Sequence, residues 1–107
     1  MDLSISVIIP TKNEVGTIQS IVEKLPLVGK DMEIVFVDGA STDGTLREIQ
    51  KMRELFPQRN IRVLEQLGRG KADAVFQGIK ESCGDGIIIY DSDMTVPPED
   101  IVHFYTA

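Results

Sequence analysis

Asp91-Ser92-Asp93 ends the apolar run Gly86-Ile87-Ile88-Ile89-Tyr90, so two carboxylates fall where a buried strand meets solvent. On a strand, side chains at i and i+2 share a face, which lets Asp91 and Asp93 converge on one cation while Ser92 points away. Two such acids repel each other when unpaired. A divalent cation of the magnesium or manganese type removes that repulsion, prefers oxygen ligands and also takes substrate phosphates. The same triplet is also an ordinary polar strand end, and short motifs arise by chance. The choice between the two readings rests on what the neighbouring loops supply.

The elements that would position these acids alternate along the chain. Ile5 to Ile9 reads as a buried strand stopped by Pro10, and Ile18, Ile21, Val22 and Leu25 recur at the spacing of a one-faced helix closed by Pro26 and Gly29. A second strand, Glu33 to Val37, runs into Asp38, and the Gly39-Ala40-Ser41-Thr42 turn offers N-caps for a helix carrying Leu46, Ile49, Met52 and Phe56. Ile61 to Leu64 is a third strand. Ala72, Val75, Phe76, Ile79 and Cys83 form the stripe of a third helix, and Gly84 and Gly86 turn the chain into the strand that ends at Asp91. Strands separated by helices imply right-handed βαβ crossovers and a mostly parallel sheet covered on both faces. The unbroken apolar character of the first and fourth strands agrees. Glu99 to Tyr105 starts a further helix that Ala107 cuts short.

In an open sheet of this kind, ligands bind beyond the carboxyl ends of the strands. Thr11-Lys12-Asn13-Glu14 follows the first strand, Asp38 and Ser41-Thr42-Asp43 the second, Gly68-Arg69-Gly70-Lys71 the third, and Asp91 and Asp93 the fourth. Four loops thus bring acids, hydroxyls, glycines and cations to one edge, a set suited to a phosphorylated, sugar-bearing ligand with a metal. Asn13, Thr42 and Asp43 read first as helix N-caps. Asp38, at the end of an internal strand, reads either as a ligand contact or as a cap acceptor. Gly68 and Gly70 are either plain loop residues or the flanks of a phosphate or base contact made by Arg69 and Lys71. His103 has no His or Cys partner at ligand spacing and reads as a surface or packing residue. No G-x-S-x-G elbow, P-loop or G-x-G-x-x-G follows the first strand, which weakens hydrolase, NTPase and dinucleotide readings.

The 107 residues fit one domain, and the formal charge of −6 argues against non-specific nucleic-acid binding, which needs a basic patch. A single cysteine, Cys83, excludes an internal disulfide, fits a reducing compartment and, on the apolar face of the third helix, reads as a buried structural thiol. The N-terminus lacks the basic and apolar segments of a signal peptide, and the apolar runs fall far short of the roughly 20 residues of a membrane span. A soluble, cytoplasmic protein is expected.

Four ordered blocks then carry a resemblance: Val7-Ile8-Ile9-Pro10-Thr11-Lys12-Asn13-Glu14, Val35-Phe36-Val37-Asp38-Gly39-Ala40-Ser41-Thr42-Asp43-Gly44-Thr45, Gly68-Arg69-Gly70-Lys71-Ala72, and Ile89 through Glu99. From about Ser4 to about Asp100 the chain resembles the N-terminal, nucleotide-sugar-binding half of family 2 glycosyltransferases, inverting enzymes of GT-A fold, and within them the polyprenyl-phosphate (dolichol-phosphate mannose synthase-like) branch. The resemblance implies a Rossmann-like α/β fold, a nucleoside-diphosphate sugar as donor and a magnesium or manganese ion as cofactor. It puts Pro10, Thr11 and Glu14 in the nucleoside pocket and Asp38 on a ring N–H of the base. Arg69 and Lys71 fall in the loop over the nucleotide. Asp91 and Asp93 match the pair that approaches the ribose and the metal-bound diphosphate, with Asp93 the residue assigned to catalysis.

Three positions depart from the family pattern and bear on nucleotide or metal preference. Lys12 stands where the family often has Tyr, Gly39 replaces the second acid after strand two, and Thr95 replaces a Gln that commonly follows the D-x-D. Related enzymes place the acceptor site and any general base in a C-terminal half that this chain lacks. A hydroxyl acceptor needs that base; an anionic lipid phosphate does not. The expected function is therefore a metal-assisted, inverting glycosyltransferase, with a polyprenyl phosphate as candidate acceptor, present as its donor-binding half and inactive alone. In a longer parent it would sit peripherally at the cytoplasmic membrane face. The alternatives are a non-catalytic nucleotide-sugar-binding half-domain and a phospho-acceptor signalling domain. Oligomeric state stays open, since an edge strand exposed by the cut can pair with a second copy as a homodimer.

Overall fold

The computed structural model describes residues 3–27, 31–94 and 97–98. The elements run β1 (Ile5–Thr11), α1 (Ile18–Lys24), β2 (Met32–Asp38), α2 (Thr45–Leu55), a 3₁₀ turn (Pro57–Arg59), β3 (Ile61–Glu65), α3 (Gly70–Glu81) and β4 (Gly86–Ile89). Among the described residues the strands form one parallel sheet in the order β3-β2-β1-β4. The Rossmann-like α/β architecture expected from the sequence is the one found. The expected helix from Glu99 to Tyr105, and with it Thr95 and His103, lies outside the described residues.

Alternation along the strands decides which helix goes where. Ile5, Val7 and Ile9 of β1 and Ile34 and Phe36 of β2 face one side and form a core with Ile18, Ile21 and Val22 of α1 and Ile49 and Met52 of α2. Each of these fully buried side chains contributes about 1.5–3 kcal/mol. Ile8, Val35 and Val37 face the other side, where Ala74 of α3 meets them. So α1 and α2 cover one face while α3 returns across the other, and strand order reverses between β1 and β4. At such a switch point the flanking loops diverge to opposite faces and leave a crevice.

Four expectations need correction. β1 does not stop at Ile9 but continues through Pro10 to Thr11. Ile8 offers its carbonyl to Tyr90 N–H on the β4 side, at 2.9 Å, so by alternation residue 10 faces that side too. β4 ends at Ile89, and the missing proline N–H is therefore needed by no bond of the ladder.

The third helix buries a different stripe. Ala74 and Gly78 are buried, whereas Phe76 is 68% and Ile79 37% exposed. A Cβ on Gly78 would lie 2.5 Å from Ile8 Cγ2 and 3.2 Å from Val37 Cγ2, so α3 approaches the sheet on its small residues and turns its larger ones aside. Polar bonds hold its lower end instead. Arg62 donates to Glu81 O at 2.6 Å, and buried Glu33 accepts from Cys83 N–H at 2.6 Å, from Ser6 Oγ at 2.5 Å and from Arg62 Nη1 at 3.2 Å.

Cys83 is exposed, not buried, because α3 ends at Glu81 and leaves it in the following loop. Nor is β4 buried on both sides: Ile87 and Ile89 are 40% and 50% exposed. Their pairing with Ser6 and Ile8 places them on the α3 side of the sheet.

Candidate functional site

A cavity of about 780 Å³ opens at the switch point, lined from all four strand ends. Pro10, Thr11, Lys12 and Glu14 come from β1 and its loop, Gly39 and Ala40 from the loop after β2, Gln66, Gly68 and Arg69 from the loop after β3, Gly70 and Lys71 from the start of α3, and Asp91 to Asp93 from beyond β4. The structure thus brings together Pro10, Thr11, Glu14, Arg69, Lys71, Asp91 and Asp93 of the expected site. Asp38 is the exception. It is 2% exposed, does not line the cavity, and accepts from Thr11 Oγ1 at 3.1 Å, Ser41 Oγ at 2.6 Å and Ser41 N–H at 3.0 Å.

The acids reach the cavity by a route different from the one expected. Asp91, Ser92 and Asp93 lie beyond the last strand residue, with Ser92 and Asp93 in a turn. Ser92 lines the cavity with them but is buried, its hydroxyl donating to Pro10 O at 3.1 Å and its carbonyl accepting from Thr17 Oγ1 at 2.8 Å. Pinned there, it leaves Asp91 and Asp93 exposed on either side. Lys71 Nζ pairs with Asp91 Oδ1, both side chains being at least half exposed, so the pair adds little to stability and is free to exchange partners.

Asn13, Thr42 and Asp43 are not N-caps, since Thr17 and Gly44 occupy those positions. Instead they tie the first loop to the second. Asn13 N–H donates to Ser41 Oγ at 2.8 Å and Thr42 N–H to Asn13 Oδ1 at 2.8 Å. Glu14 N–H donates to Thr45 Oγ1 at 2.9 Å, and Val15 N–H to Asp43 Oδ2 at 3.2 Å. The Thr45 hydroxyl, with the Val15 and Thr45 N–H groups, holds the Asp43 carboxyl below its ordinary range. Where the third loop enters α3, Arg69 N–H donates to Asp73 at 2.9 Å, and Gly70 takes φ +82°, a backbone value strained for any side chain.

Sequence reasoning missed Gln66, a neutral strand-exit residue that spans to Gly70 O at 2.7 Å and walls the cavity. Its one signal was position, directly after β3. Among the described residues no group of three or more His, Cys, Asp or Glu gathers to hold an ion. Asp91 and Asp93 fit the other arrangement, in which one or two carboxylates share a magnesium-type ion with substrate phosphates. The cavity beside them has room for such a ligand.

With this geometry in place, comparisons with known proteins converge. The model of glycosyl transferase family 2 matches residues 6–107. The chain is 36% identical to a dolichol-phosphate mannosyltransferase of Pyrococcus furiosus over 91% of its own length and 28% of that protein's. It is 31% identical to an undecaprenyl-phosphate 4-deoxy-4-formamido-L-arabinose transferase of Enterobacter over 91% and 31% respectively. A mannosyltransferase from Pyrobaculum calidifontis, solved with GDP-Man and Mn2+, superposes with a TM-score of 0.83 at 31% identity, over 94% of this chain and 30% of that one. The chain therefore spans about a third of the length of the proteins it matches. The phospho-acceptor signalling reading gives way, for this chain belongs to glycosyl transferase family 2.

Proposed function

We propose that this chain is the donor-binding part of an inverting glycosyltransferase that moves a sugar from a nucleoside diphosphate to a polyprenyl phosphate. The observation that carries the reading is the cavity at the β1/β4 switch point, where hydroxyl, acid and basic side chains from all four strand ends meet. Thr11, Glu14 and the ring of Pro10 offer a wall for the nucleoside. Arg69 and Lys71 offer positive charge to the diphosphate, and the N-terminal turn of α3 adds backbone N–H groups. Asp91 and Asp93 would hold a divalent cation, whose chemistry when bound is to offset charge on the departing diphosphate. Lys71 leaves Asp91 for a phosphate oxygen as the donor enters, which frees that carboxylate for its second role.

The matched relatives are named for dolichol-phosphate and undecaprenyl-phosphate chemistry, and that supports the acceptor class. A lipid phosphate is already an anion near neutral pH and needs no general base to attack the sugar carbon. Among the described residues no helix is long and apolar enough to cross a membrane. Attachment at the cytoplasmic membrane face belongs to the same proposal and draws its support from the lipid-phosphate names of those relatives. A second reading, a half-domain that holds a nucleotide sugar without turnover, draws support from the cavity's lining, since each side-chain role proposed above is toward the donor and none is toward an acceptor.

Calorimetry with UDP-, GDP- and CDP-sugars, each with and without manganese, tests the reading. Binding of at least one, strengthened by manganese and abolished by excess pyrophosphate, is expected. No binding by the 107-residue chain and none by a longer parent would overturn it. A radiolabelled-donor assay with polyprenyl phosphate separates the two readings when run on a longer parent: transfer is expected under the first and none under the second, while this chain alone should bind donor without transfer, because holding donor and acceptor in register contributes several kcal/mol that one half-site lacks.

A further inference from the structure

We infer that Asp38 is a positioning residue that braces the first and second loops of the cavity against each other and acts on the nucleoside through Thr11 and Ser41. This rests on the cavity being a nucleoside diphosphate site, and it departs from the direct base contact that the family resemblance implies. The carboxylate is 2% exposed and already accepts three donors, Thr11 Oγ1, Ser41 Oγ and Ser41 N–H. Three donors leave one of its four acceptor sites open, on Oδ2, but with the residue buried and absent from the cavity lining a base N–H would have to reach behind the cavity wall to use it.

What those bonds hold is the wall itself. Thr11 lines the cavity from β1, and its hydroxyl is turned by Asp38. Gly39 and Ala40 line it from the second loop, and the Asp38–Ser41 bonds close the turn around them. Ala40 sits at φ +58°, which an alanine keeps only where its surroundings impose it. Ser41 Oγ, while donating to Asp38, accepts from Asn13 N–H at 2.8 Å, and Asn13, itself at φ +55°, accepts from Thr42 N–H. A chain of bonds therefore runs from Asp38 through Ser41 to Asn13 and back to Thr42, fixing both loops at once. Lys12 and Glu14 flank Asn13 and take their places in the cavity from it.

The two roles differ in what they do to base preference. As a brace, Asp38→Ala should weaken UDP, GDP and CDP by a common factor of about ten or more, the loss expected of hydrogen bonds to a charged group. Rank order among the bases stays as in the parent, and inorganic pyrophosphate with manganese binds as before. Ser41→Ala should reproduce most of the loss, and the double variant should be little worse than Asp38→Ala. A changed rank order, or losses from Asp38 and Ser41 that multiply in full, would overturn the proposal. Where Asp38→Ala fails to fold, Asp38→Asn carries the same comparison, since it keeps an acceptor for the hydroxyls but loses the one for Ser41 N–H. Amide exchange tests the brace without any nucleotide: in Asp38→Asn the Asn13, Ser41 and Thr42 amides should exchange faster while those of the β1–β2 ladder do not. Unchanged exchange there sinks the brace. If the parent binds no nucleoside diphosphate, it is the functional reading that fails, and exchange alone decides the brace.

Discussion

Glu33 and Asp38 are buried acids near opposite ends of β2, each held by three donors. Glu33 sits away from the cavity and is structural. Burial alone would raise its pKa, but the Cys83 N–H, the Ser6 hydroxyl and the Arg62 guanidinium outweigh that and hold it below its ordinary value of 4.5. A depressed folded-state pKa adds stability that is complete above the ordinary value and is lost as pH falls through the depressed one. Glu33→Gln should therefore cost about 1–3 kcal/mol at pH 7, with the deficit shrinking in urea melts at pH 3; an equal deficit at both would mean that the charge contributes nothing. Asp93→Asn tests the cavity end. It should weaken manganese-supported nucleoside diphosphate binding by about 1–3 kcal/mol, and affinity indifferent to EDTA in the parent would remove the metal role. Asp91 and Asp93 were legible as a pair because their spacing and apolar approach are local. The burial of Asp38 was not legible, because its donors Thr11 and Ser41 sit on two loops whose approach is tertiary.

At the scale of elements, α1 and α2 were readable from sequence, while α3 was readable in place but not in orientation. Ile18, Ile21, Val22, Ile49 and Met52 are buried as the helical period requires. In α3 the same rule picks Phe76 and Ile79, and the fold picks Ala74 and Gly78. Periodicity weighs hydrophobicity, whereas this interface selects on size, because Ile8 and Val37 already fill the space a side chain at position 78 would need. Gly78→Val should destabilise by at least the 1–3 kcal/mol typical of overpacking, checked by denaturant melts, while Phe76→Ser should leave the melting temperature near the parent's. A large loss from Phe76→Ser would restore the sequence-based stripe.

At the scale of the whole molecule, the strand and helix alternation made the parallel sheet and its working edge legible, since every connection here is local. Exposure was less so: Ile87 and Ile89 carry the same residue types as the buried strands, and only strand order shows that β4 is an edge among the described residues. That face predicts behaviour in solution. The chain should bind an environment-sensitive apolar dye and associate weakly at high concentration, and Ile87→Thr with Ile89→Thr should reduce both without altering nucleotide binding; sedimentation of the two proteins decides it. The depth of the cavity has a separate origin, in Pro10. To zip β1 and β4 one step further would require an N–H at position 10, and the pyrrolidine ring has none. The strands part there like the prongs of a fork, with the Ser92 hydroxyl bonded to the Pro10 carbonyl at the crotch. The gap is thus written into covalent chemistry before any ligand arrives, so a donor entering it spends none of its binding energy on prying the sheet open.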